Sequence, residues 1–171
     1  FRSAAGAAAV ADSAKANLAI SFVNGFVNAG FCVDTLMTSN GNDWVSRNKD
    51  HGMLSATASL GMVMMWNIDE GLNQIVPFLQ QPDPFVKAGA LLGIGIMSNG
   101  IRHESDSAFA LLSEYVNDAS EYIRQASVSG LGIAYAGARK EELFESLFPI
   151  VENSDSPIVE SSFAALSLGL S

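Results

Sequence analysis

The chain has 171 residues, 49% hydrophobic and 16% charged, with a net charge of −9; the apolar content excludes extended disorder, and the acidic balance argues against a nucleic-acid partner, whose phosphates it would repel. The single cysteine, Cys32, excludes a disulfide framework and a thiolate metal cluster, and it fits a reducing compartment. The longest apolar runs, such as Ala88–Met97, fall far short of the roughly 20 residues needed to cross a bilayer; they read as buried helices, with no membrane partner.

Phe1–Ser13 is rich in alanine and glycine, lacks the apolar core of a cleavable signal, and reads as a linker outside the folded array. From about Ala14 to Ala29 the residues Leu18, Phe22, Phe26 and Ala29 form one stripe, which predicts a helix. Residues 31–50 break that rhythm. Their turn formers and charges, TSNGNDWVSRNKD, predict a surface loop inserted in the array. Helices are then expected over His51–Trp66 and Asp69–Leu79, the second with Ile75, Phe78 and Leu79 inward. Asp83 and Pro84 start another helix, running to about Ser98, and Asn99-Gly100 supplies a turn. Glu104–Val116 follows, with Phe109, Leu112 and Val116 on its apolar stripe. Ser120–Tyr135 comes next, closed by Gly137. Glu141–Val151 carries Leu143, Leu147 and Ile150, and Ser156-Pro157 begins a last helix. No segment alternates with a period of two, so the fold class is all-α.

Several of these helices are copies of one another. LSATASLGMVMMW, AGALLGIGIMSNG, ASVSGLGIAYAG and FAALSLGLS align on their Leu-Gly pairs at Gly61, Gly93, Gly132 and Gly169, with a weaker copy around Gly25. Self-similarity at this period marks an array of helical hairpins, an α-solenoid. Glycine inside a helix costs about 0.8–1 kcal/mol against alanine, so its recurrence needs a packing reason. Small residues let helices approach closely. The Gly/Ala helices are therefore assigned to an inner layer and the amphipathic helices to an outer one.

Enzymatic chemistry does not emerge. GIGIMSNG and GLGIAYAG superficially suggest a dinucleotide loop, but a GxGxxG site needs a preceding strand and a different glycine spacing; no cofactor is expected. His103 with Glu104 and Asp106 could be drawn as a metal site, yet the acids equally suit a helix start. Glu141, Glu142 and Glu145 form an acidic face that could be a carboxylate pair or a solvated first turn. No GxSxG elbow is present. The acidic helix starts at Asp69-Glu70, Glu104/Asp106 and Glu141-Glu142 would recur along one edge of a regular array. With Ile68 beside Asp69, that edge could receive a partner whose apolar patch is ringed by basic groups; alternatively, the acids only cap helices.

The stretches SFVNGFVNAGF, NKDHGMLSATASLGMVMMWNIDEGL, LLGIGIMSNG and SGLGIAYAG resemble the proteasome/cyclosome repeat family, and within it the large ubiquitin-receptor scaffold subunits of the 26S proteasome regulatory-particle base. The resemblance covers residues 14–171. It implies a truncated part of a larger α-toroid, acting as a non-enzymatic receptor and scaffold in the cytoplasm and nucleus. The implied partners are ubiquitin, ubiquitin-like domains of shuttle factors, a proteasomal deubiquitinase, the ATPase ring and other regulatory-particle subunits. The family's deubiquitinase-docking patch, carried over, falls on Ile68, Asp69, Asn73 and Gln74. Part of its ubiquitin-binding patch falls on Glu141, Glu142 and Glu145.

Overall fold

The computed structural model describes residues 2–102 and 104–171, with side chains from Ser13 onward. Among the described residues there are nine α-helices and no strand: α1 (Arg2–Val27), α2 (Gly41–Ser46), α3 (His51–Val63), α4 (Ile68–Leu79), α5 (Pro84–Met97), α6 (Ser107–Ser113), α7 (Glu121–Ala134), α8 (Glu141–Glu152) and α9 (Ile158–Leu170). The odd-numbered helices stack side by side in chain order as one layer. Each even-numbered helix packs mainly on the odd helix that follows it. Two layers of helical hairpins result, with the Gly/Ala helices together in one and the amphipathic helices in the other. Among the described residues no helix is long and apolar enough to cross a membrane.

Backbone contact sets the register. A Cβ built on Gly61 would lie 2.2 Å from the Gly93 carbonyl oxygen, one on Gly95 2.4 Å from the Gly130 Cα, and one on Gly132 2.5 Å from the Ser167 side chain. Each layer helix thus carries a small residue two positions before its key glycine: Ser59 before Gly61, Gly93 before Gly95, Gly130 before Gly132, Ser167 before Gly169. The glycine of one helix rests on the small residue of the next. The structural equivalents are therefore Gly61, Gly95, Gly132 and Gly169, which corrects the Leu-Gly alignment by two residues in α5. The G-x-G pairs that imitate a nucleotide motif are the two halves of this contact.

Five residues after Gly25, Gly61, Gly95 and Gly132 the backbone turns left-handed: Gly30 at φ 75°, Trp66 at 71°, Gly100 at 74° and Gly137 at 69°. Three of these turn residues donate their N–H groups to carbonyls at the end of the following layer helix, Gly30 to Met62 (3.0 Å), Trp66 to Met97 (3.0 Å) and Gly137 to Leu170 (2.8 Å). Carbonyls near a helix C-terminus lack partners within the helix, so these bonds join neighbouring hairpins while satisfying them. Glycine adopts this conformation freely, whereas a residue with a Cβ loses about 1–2 kcal/mol there. Tryptophan is the exception in the series.

Several predicted elements differ. Residues 2–13, expected as a linker, are the opening turns of α1. Residues 31–50 are not a surface loop: they contain α2, and Met37, Trp44 and Val45 are buried in the common core. In α1 the predicted stripe is not the packed one. Ser21 and Gly25 are buried against α3, while Phe22 and Phe26 are exposed, because only the small face permits the close approach.

Asp34 organises the turn before α2. Its buried carboxylate accepts N–H bonds from Met37 (2.9 Å) and Thr38 (2.6 Å) and one from the Asn24 side chain. Burial alone would raise its pKa; the bonds from Thr38, Met37 and Asn24 together outweigh that and hold it below the ordinary 3.8. A lowered carboxyl pKa contributes stability above the unfolded-state value and loses it as pH falls through the folded-state value. The expected result is a urea midpoint that falls between about pH 5 and pH 3. Asp34→Asn should lose about 1.5–3 kcal/mol at neutral pH and show a flatter pH profile over that interval. An unchanged profile in Asp34→Asn would move the acid sensitivity elsewhere.

Candidate binding edge

The ends of α5 and α7 and the starts of α4, α6 and α8 meet around one cleft of about 330 Å³, whose lining includes Ile68, Ser98, Arg102, Asp106, Tyr135 and Lys140. Of the acids singled out in the sequence at these helix starts, only Asp106 lines the cleft. Their side chains divide sharply.

Ile68 is only 7% exposed and forms part of the core and the cleft wall. The expectation of Ile68 as an exposed apolar platform is corrected: as the first residue of α4, it is turned inward. Asp69, Glu70 and Asn73 are exposed, and Gln74 is half-buried. Glu70 accepts a 3.1 Å bond from the Asn67 side chain.

Asp106 is not a free acid of the edge. Helix α6 begins at Ser107 rather than Glu104, because Asp106 adopts φ 48° and interrupts the predicted helix. Its carboxylate accepts bonds from the Tyr135 hydroxyl and from Lys140 Nζ at 2.7 Å. The Lys140 ammonium also lies over the Phe109 ring, 4.7 Å from its centroid, and 5.4 Å from that of Tyr135. Burial alone would raise the Asp106 pKa; the bonds from Lys140 and Tyr135 and the lysine's charge hold it below the usual range. Burial, followed by the Asp106 bond, raises the Tyr135 phenol. Lys140 is raised first through its bond to Asp106. This cluster ties α6 to the end of α7 and the start of α8. The metal reading of Glu104, Asp106 and His103 changes accordingly: Asp106 is engaged by Lys140, Glu104 is exposed, and His103 lies outside the described residues.

On α8, Leu143 and Leu147 are buried, while Glu141, Glu142 and Glu145 are exposed. Phe144 and Phe148 share the exposed side, 51% and 40% accessible, with their rings stacked at 4.8 Å. Positions three and four apart share a helix face, so Glu141, Phe144, Glu145 and Phe148 form one mixed stripe. The two phenylalanines and Trp66, 61% exposed, escaped the sequence reading. The i,i+4 phenylalanine pair in EELFESLFPI, out of phase with Leu143 and Leu147, was the available signal.

Residues 55–88 match the proteasome/cyclosome repeat, the stretch that holds most of α3, all of α4 and the start of α5. The chain is 43% identical over 163 residues to 26S proteasome non-ATPase regulatory subunit 2 of Dictyostelium discoideum, covering 95% of this chain and 18% of the relative. It is 46% identical over 160 residues to 26S proteasome regulatory subunit rpn1 of Schizosaccharomyces pombe, 92% of this chain and 18% of the relative. Against 26S proteasome non-ATPase regulatory subunit 1 homolog B of Arabidopsis thaliana the identity falls to 27% over 155 residues, 87% of this chain and 15% of the relative. The chain spans less than a fifth of the length of these relatives. Over nearly all its length the chain thus follows one segment of the subunit 2 sequences, and residues 55–88 carry the proteasome/cyclosome repeat.

Proposed function

We propose that this segment is a non-enzymatic part of a proteasome regulatory-particle scaffold, working in the cytoplasm and nucleus, and that its edge receives ubiquitin or the ubiquitin-like domain of a shuttle factor or deubiquitinase. The observation that carries the reading is the α8 stripe, in which the stacked, exposed Phe144 and Phe148 alternate with Glu141 and Glu145 along one helix face. Contiguous exposed apolar groups beside charge suit a protein partner. Here the complement is an apolar patch ringed by lysine and arginine. The acids around Asp69 on α4 supply a second place of the same sign. Docking to the ATPase ring and other subunits belongs to the longer scaffold, in which further hairpins continue the array toward a toroid.

A purely architectural role is the second reading, favoured by Asp106, whose carboxylate joins neighbouring helices. Labelled ubiquitin and labelled ubiquitin-like domains titrated with the chain separate the two. The receptor reading expects shifts on the probe's apolar face, weakened at least tenfold by Asp69→Arg if α4 is the site, or by Phe144→Ser with Phe148→Ser if α8 is. Absence of shifts with every probe, from a chain shown to be folded, would leave architecture as the role of this segment.

A further inference from the structure

We infer that Trp66, rather than Ile68, is the apolar anchor of the α4 site, gripping a folded partner domain whose apolar face is ringed by basic side chains. The inference rests on the receptor reading above and specifies which residue makes the contact.

Three observations carry it. First, Trp66 occupies the left-handed turn position that Gly30, Gly100 and Gly137 hold in the other hairpins. A bulky residue at positive φ is a conformational outlier, and such strain concentrates at sites with a function. The turn itself does not require the indole, since its N–H bond to the Met97 carbonyl is a backbone bond that glycine would also make.

Second, the side chain is placed outward with support beneath it. A Cβ on Gly30 would meet the indole ring at 3.5 Å, so the ring covers the preceding turn, while 61% of the residue stays exposed. Phe31 and Val33, also strongly exposed, follow Gly30 in a segment fixed by the Cys32 N–H bond to the Val63 carbonyl. An exposed aromatic backed by a rigid turn has the form of a binding hot spot, where tryptophan is enriched.

Third, the charge that flanks it along the chain has one sign. No lysine or arginine occurs between Lys49 and Lys87, whereas Asp69 and Glu70 follow Trp66 within four residues and are exposed. An apolar anchor beside carboxylates selects a partner with the opposite rim. Ile68, 7% exposed, has little surface to offer.

The chain has two tryptophans, and Trp44 is buried with its Nε1–H bonded to Ser21 Oγ at 3.0 Å. Their indole N–H resonances therefore report separately. In a titration of the ¹⁵N-labelled chain with unlabelled ubiquitin and with a deubiquitinase's ubiquitin-like domain, the Trp66 indole signal should move and saturate in step with the complex, and that of Trp44 should stay. Trp66→Gly should leave the melting temperature unchanged or raised and weaken the complex at least tenfold. That combination separates a contact residue from a structural one. If binding is lost with Asp69→Arg but unaffected by Trp66→Gly, the receptor reading stands and the anchor assignment falls. If binding is lost with Trp66→Gly only together with a lowered melting temperature, and the wild-type Trp66 signal does not move, Trp66 is structural. If no probe binds the wild-type chain, both inferences fall.

Discussion

Gly61→Ala should destabilise the fold by about 3 kcal/mol, the upper end of overpacking costs, although alanine favours a helix by about 0.8–1 kcal/mol. The new methyl would sit 2.2 Å from the Gly93 carbonyl oxygen and 2.5 Å from its Cα. Both are backbone atoms of a buried helix, so no rotamer change relieves the clash and α3 must move off α5. Gly95→Ala should behave similarly, with the Gly130 Cα at 2.4 Å. Gly93→Ala is the control. Its methyl would make only ordinary contacts, 3.6 Å from Ala58 and from the Gly61 nitrogen, so propensity decides and stability should hold or rise by up to about 1 kcal/mol. Urea unfolding followed by circular dichroism measures all three. Equal gains in Gly61→Ala and Gly93→Ala would mean that the helices do not touch through their backbones, and the proposed register would be lost.

The same contact explains what the sequence revealed of the fold. Repetition and a helical period were visible because every layer helix must present small residues at the same depth. The finer register was not. Leu-Gly pairs are conspicuous, but the structure repeats a pair of small residues two positions apart, and in α5 both are glycine. Choosing between Gly93 and Gly95 requires knowing which Cβ direction faces the neighbour. The Phe22–Phe26 stripe misled for a related reason: in an array, the large apolar face of a layer helix need not be the one that packs within this chain.

The candidate site was legible in its acids and not in its apolar groups. Asp69, Glu70, Glu141, Glu142 and Glu145 are exposed as expected, since charged residues rarely stay buried without partners. Asp106 broke the pattern because Lys140, 34 residues away in sequence, folds back onto it. Ile68 was misplaced because adjacency to Asp69 says nothing about direction; on a helix, successive residues point about 100° apart. Trp66 entered the sequence reading only as the end of the helix expected over His51–Trp66, with no role at the surface.

Trp44→Ala tests the largest departure from the sequence reading. Were residues 31–50 a surface loop, truncating this side chain would change stability by no more than about 0.5 kcal/mol. In the structure Trp44 lies on α2, is buried in the common core with Met37 and Val45, and donates its Nε1–H to Ser21 Oγ of α1 at 3.0 Å. Ser21 in turn donates to the Asn17 carbonyl at 3.1 Å, so the indole closes a chain of hydrogen bonds between α2 and α1. Removing it leaves a large cavity, and the expected loss is about 3–5 kcal/mol. Trp44→Phe preserves most of the volume and deletes only the donor, so about 1 kcal/mol should be lost. This graded pair separates packing from hydrogen bonding. A loss near zero in Trp44→Ala would return the segment to the surface, whereas a loss of several kcal/mol makes α2 the first outer helix of the array, with the turn formers of TSNGNDW shaping its entry rather than ending the fold.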